Sequence, residues 1–196
     1  MIKNTSTPNL RITVYCALFT ALIIVGGYIS IPIPIGPVPI ALADFFVMLA
    51  GLFLGFKYGL ISTTLYLVLG AIGLPVFAGG TAGLAVLFGP TGGFLFGYLF
   101  MVAFIGFISD KMKPAIPTYL LSLIVGNILL YSIGVPWLRI VMHFNWAEAF
   151  AVGFVPFIAG IVIKIAVAVT LSHKLLPPFK RTHAFSSMQQ IDGGDE

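Results

Sequence analysis

The stretch PIALADFFVMLAGLFLGFKYGLISTTLYLVLGAIGL, Pro39–Leu74, decides how the chain is read. Two continuous apolar runs flank a single cation, Lys57. A membrane-crossing helix needs about 20 predominantly apolar residues. A strand of a lipid-facing barrel instead alternates, and neither run alternates. The stretch is therefore read as two helical spans, roughly Pro39–Phe56 and Tyr58–Leu74, turning at Lys57.

Working outward, the same criterion gives four more spans. They are roughly Leu10–Ile31, Gly92–Ser109, Ala115–Leu138 and Ala151–His173. The first is too long for a cleaved signal peptide and has no small-residue cleavage site before a polar chain. Arg139–Ala149 is more polar and reads as an external segment, with His143 solvated rather than a metal ligand. The expected architecture is an all-α, six-helix membrane bundle over residues 1–175, followed by a polar tail, 176–196.

The whole chain agrees. Of 196 residues, 59% are hydrophobic and 8% charged, against about 25% charged in soluble domains. Mean hydropathy is +1.09. The net charge of +4 comes from scattered residues, so no nucleic-acid partner is expected. The lone Cys16 excludes an internal disulfide, a structural zinc site and an iron–sulfur cluster.

The basic residues orient the bundle. With six spans and a cytoplasmic N-terminus, Lys3, Arg11, Lys57, Lys111, Lys113, Lys174, Lys180 and Arg181 all face the cytoplasm. Only Arg139 faces outward, which matches the positive-inside rule. Both termini are thus expected inside, with Tyr28, Tyr98, Tyr131, Trp137 and Trp146 as interfacial anchors.

This orientation puts two uncharged loops outside, Ile31–Pro39 and the glycine-rich Leu74–Gly93. They are either tight turns capping the bundle or lids over a pocket; a lid needs apolar inner surface to exclude water. The glycines lack the lysine of a phosphate loop, so any ATP must be handled by other subunits.

Two ionisable residues lie within spans. Lys164 falls well inside the sixth, about 18–20 Å below its start, and Asp44 about 7–8 Å below the start of the second. A mid-membrane lysine costs at least about 2.5–3.5 kcal/mol on insertion scales, so it needs a partner. Gly160 and Ala168 on the same helical face leave room for an anionic ligand carboxylate; Asp44 is the alternative partner. Ala17 and Ala21 form a small-xxx-small pair, suited to packing within the bundle or docking a membrane partner. With histidines only at span ends and in the tail, and too few carboxylates for a paired site, no enzymatic constellation is visible.

The string GAIGLPVFAGGTAGLAVLFGPTGGFLFGY, Gly70–Tyr98, strongly resembles the signature loop of the BioY family, the biotin-specific substrate-binding (S) components of energy-coupling factor (ECF) transporters. Pro32–Gly59, GVPWL (Gly134–Leu138) and PFIAGIVIKIAVAV (Pro156–Val169) resemble its other segments. The resemblance implies a bacterial inner-membrane protein with biotin as cargo, no cofactor, a lid between spans three and four, a T protein and two ATPases as partners. Ala17 and Ala21 match the family's T-protein contact, and Lys164 matches its sixth-helix lysine. The expected substrate-binding set is Lys164, Asp44, Thr81, Gly79, Gly80, Gly83 and Phe94.

The pattern departs from the family at three places. The aspartate usual three residues before the lysine is absent from Ala159–Gly160–Ile161, Thr81 stands where asparagine is common, and Ala43 replaces a glutamine. Asp44 is therefore expected to replace the missing carboxylate and accept ureido N–H bonds, with Thr81 and loop amides donating to the ureido oxygen.

Overall fold

The computed structural model describes residues 10–34 and 36–181. It is all-helical apart from one two-stranded ribbon. Five helical stretches are long and apolar enough to cross a membrane, by length and composition. Helix α1 spans Leu10–Tyr28, α2 Ala43–Ala71, α4 Gly92–Lys111 and α5 Ile116–Met142. The fifth stretch, Trp146–Leu176, combines a short helix α6 (Trp146–Gly153), a 3-10 turn (Val155–Phe157) and most of α7 (Ile158–Arg181).

Helices α1, α2 and α4 are apolar nearly all round, so which of their faces is buried depends on small and polar residues. On α1, Ile12, Cys16, Phe19, Thr20, Ile23, Gly26 and Gly27 form one buried helical stripe. Thr20 Oγ1 donates to the Ser62 carbonyl at 3.1 Å. Val14, Leu18 and Val25 are exposed on the other side, as are Ala17 and Ala21.

The turn expected at Lys57 lies two residues earlier. Gly55, with φ 74 and ψ −168, interrupts α2 between helical arms 43–54 and 56–71. Only glycine adopts that backbone freely, and a Cβ there would strike the Asp110 carboxylate. That carboxylate accepts the freed Phe56 N–H at 2.8 Å. A Cβ on Gly59 would lie 3.2 Å from the Ala50 carbonyl oxygen, whereas nine residues of straight helix separate groups by about 13 Å. The arms therefore fold back on one another.

Helix α4 packs against both arms. Ser109 Oγ donates to the Leu52 carbonyl at 2.7 Å, and Gly51, Gly59 and Gly106 admit close backbone approach. Such packing is the main source of helix association in lipid. Two ends result. One carries Gly55 and the α4–α5 connection; the other carries the long loops and α6.

The loop end differs from the sequence expectation around residue 150. Helix α5 runs through the expected loop start to Met142 and is closed by His143 in a left-handed conformation, φ 54. An Asn145–Glu148 capping box then starts α6. The last long helix begins at Ile158, not near Ala151, because Val155–Phe157 is a 3-10 turn. Helix α7 continues to Arg181, and tail residues 182–196 lie outside the described residues.

Candidate functional site

The first loop at this end is pinned at its base. Ser30–Ile31 (β1) pairs antiparallel with Ile40–Ala41 (β2), leaving a proline-rich strap described at 32–34 and 36–39. The second loop folds as a 3-10 turn, Ala78–Gly80, and a short helix α3, Leu84–Phe88. Gly79, Gly80 and Gly83 have φ of 66, 76 and 92, so the loop's path depends on glycine. Phe77 anchors it: its ring, 1% exposed, fills the slot left by Gly70 and meets Tyr66 edge-on at 5.5 Å. The Tyr28 hydroxyl donates to the Pro75 carbonyl, and Trp137 Nε1 to the Gly89 carbonyl at 3.0 Å.

Beneath these loops is a chamber of about 380 Å³, within the usual size of ligand pockets. The strap (Pro37–Pro39) and Phe77, Ala78 and Thr81 cover it; Tyr66, Phe94, Leu95 and Tyr98 line its base. A more open cavity of about 430 Å³ lies above, sharing Pro37, Pro39 and Ala78. A small pocket of about 40 Å³ shares Val38, Pro39, Ala41, Phe94 and Tyr98 with the chamber and is also lined by Asp44, Tyr131 and Lys164.

Lys164 and Asp44 form an ion pair. Lys164 Nζ lies 2.7 Å from Asp44 Oδ1, 2.9 Å from Oδ2 and 2.7 Å from the Ala41 carbonyl oxygen. Both residues are buried, at 8% and 6% exposed. The depth mismatch read from the sequence disappears because α7 starts later. Lys164 is six residues below Ile158, about 9 Å, and its side chain reaches back toward the helix start. Asp44, in the first turn of α2, also faces the positive end of that helix's dipole. Of the two partners open to Lys164, the structure has Asp44. Space remains beside Gly160, where no atom lies within 4 Å of a Cβ position, but Ala168 is fully buried.

The expected residues thus fall into groups. Asp44, Lys164 and Phe94 share the small pocket, while Thr81 and Phe94 line the chamber. Gly79 lines the upper cavity; Gly80 and Gly83 shape the loop without lining any of these three. The Thr81 hydroxyl donates to the Ala78 carbonyl at 3.0 Å, so its hydrogen is spent within the loop. Two residues expected as interfacial anchors belong here instead: Tyr98 and Tyr131 are each 9% exposed and line the small pocket. Their sequence signal was spacing. Tyr98 lies four residues after Phe94, and Tyr131 three before Gly134, whose missing side chain admits the Phe94 ring. Among the described residues, no group of three His, Cys, Asp or Glu side chains could hold a metal.

The BioY family model matches residues 2–181. The chain belongs to the BioY family. Its family relatives include the biotin transporter BioY of Thermotoga maritima, 43% identical over 166 residues, covering 85% of this chain and 96% of that one. A probable biotin transporter BioY of Pyrococcus horikoshii is also 43% identical, covering 81% and 92%. The crystal structure of the S-component for biotin from an ECF-type ABC transporter superposes with a TM-score of 0.80 at 33% identity, covering 88% of this chain and 95% of that one.

Proposed function

We propose that this chain is a biotin-capturing S component of an ECF-type transporter: a membrane transport subunit rather than an enzyme. The carrying observation is the buried Asp44–Lys164 pair in a small pocket opening off an apolar, loop-covered chamber. Names and coverage of the relatives support biotin as cargo. In this reading Asp44 accepts the ureido N–H groups, Lys164 holds the carboxylate in place, and Phe94 and Thr81 line the chamber for the rest of the ligand. Gly79, Gly80 and Gly83 set the path of the covering loop.

The membrane arrangement follows from the same reading. Counting the two arms of α2 as separate crossings gives six, with both termini and the Gly55 end in the cytoplasm of a bacterial plasma membrane. Residues 1–175 are then the substrate-binding unit and 176–196 a cytoplasmic extension. Capture occurs at the loop end, and import depends on a T protein and two ATPases. The exposed Ala17–Ala21 face of α1 is where the T protein docks, since small residues allow close helix approach.

The test is direct. Detergent-purified protein carries or binds biotin, identified by mass spectrometry and measured by titration calorimetry, with a vitamin panel as competitors. Asp44→Ala and Lys164→Ala each weaken binding at least about 100-fold, the cost of a broken buried pair. Wild-type affinity in both variants defeats the site assignment; preference for another vitamin defeats biotin as cargo.

A further inference from the structure

We infer that Tyr98 and Tyr131 supply the hydrogen-bond donors that read the ligand's carbonyl oxygen, making the small pocket selective for a neutral cyclic urea. This rests on biotin being the ligand and assigns two further recognition residues. An ammonium has three N–H donors, and Lys164 directs its own at Asp44 Oδ1, Asp44 Oδ2 and the Ala41 carbonyl. The Thr81 hydrogen is held by Ala78. Each Asp44 oxygen keeps lone pairs beyond the lysine bond. A polar head group entering this pocket therefore meets acceptor capacity on Asp44 and no donor from the ion pair.

The two tyrosines complete the set. Both line the pocket, both are nine-tenths buried, and neither hydroxyl has a hydrogen-bond partner among the described residues. The Tyr131 ring is held edge-on by Phe94 at 5.8 Å and Phe154 at 5.1 Å, so it is fixed in place before a ligand arrives. Tyr98 belongs to both the pocket and the chamber, at the point where a head group passes between them. Acceptors on Asp44 facing donors on Tyr98 and Tyr131 complement N–H and C=O groups on one small neutral ring. A carboxylate is repelled by Asp44, and a guanidinium offers the phenols no acceptor.

The experiment uses purified full-length protein in detergent, titrated with biotin and with 2-iminobiotin, in which an imino nitrogen replaces the urea oxygen. Wild type favours biotin. Tyr98→Phe and Tyr131→Phe each weaken biotin about five- to tenfold and narrow the preference over 2-iminobiotin by a similar factor. Tyr119→Phe, a buried tyrosine in the first turn of α5, changes neither. Phe variants that bind biotin within twofold of wild type, or keep the full preference, overturn the inference. If they do not fold, wild-type protein decides: equal affinity for the two ligands overturns it. Failure of wild type to bind biotin removes the transport reading and this inference with it. Intact wild-type binding with unchanged Phe variants removes this inference alone.

Discussion

The two ends of the bundle are built on opposite principles. At the Gly55 end, the Phe56 N–H is taken by Asp110 and Ser109 binds the Leu52 carbonyl. A Cβ on Gly106 would lie 2.5 Å from Phe56 N, so the backbones touch. At the loop end, three cavities share lining residues with one another, and Tyr98 and Tyr131 have unpaired hydroxyls among the described residues. A membrane interior penalises unsatisfied polar groups. Thr63 Oγ1 and Ser172 Oγ, away from the loops, are buried and unpaired as well, but the two phenols line a cavity that a ligand can fill.

The largest effect should come from breaking the ion pair on one side only. Lys164→Met leaves the Asp44 carboxylate buried without its counter-ion and costs about 3–5 kcal/mol. The double variant Lys164→Met with Asp44→Leu returns to within about 1 kcal/mol of wild type, since replacing a buried pair by apolar residues is often neutral. It does not recover biotin binding. Thermal midpoints and calorimetric titration of the three proteins check this. A double variant as unstable as the single one would make the pair a structural clamp instead of a recognition centre.

Next in size is the tight end. Gly55→Ala forces a side chain into a glycine-only conformation and against Asp110, costing about 3 kcal/mol. Size-exclusion profiles after graded heating should show early loss of folded protein. Any protein surviving at low temperature should keep wild-type biotin affinity, because none of the three loop-end cavities is lined by residues of this turn.

A smaller effect belongs to the loops. Tyr28→Phe removes the bond to the Pro75 carbonyl that ties the second loop to α1. The loss is about 1 kcal/mol, read as a roughly fivefold faster release of labelled biotin with little change in thermal midpoint. Unchanged release would mean the Phe77 anchor alone holds the loop closed.

The smallest intrinsic effect falls on neither end. Ala17→Leu and Ala21→Leu, on an exposed face of α1, should shift stability by less than about 0.5 kcal/mol and leave biotin affinity intact. Pull-down with the T protein should nonetheless fail. Retained complex formation would move the docking surface elsewhere.

Much of the bundle was legible from residues alone. The apolar runs marked the spans, and Asp44 and Lys164 stood out because charge within an apolar run requires a partner. The depth of Lys164 was misjudged because apolar residues continue unbroken through Ala149–Ile158, where the backbone changes from α6 to a 3-10 turn. Hydropathy cannot register such a change. Tyr98 and Tyr131 were read as anchors because a tyrosine near a span end looks the same whether it faces lipid headgroups or a pocket.

The sequence by itself determined that the chain is helical and membrane-embedded, and that Asp44 and Lys164 must be neutralised within it. It could do so because transfer into lipid depends on composition along a run, which is a one-dimensional property. Only the tertiary structure decided that these charges neutralise each other, leave acceptor capacity free and face two unpaired phenols. That outcome depends on helix starts, on the reversal at Gly55 and on which faces meet, all set by packing between segments far apart in the chain.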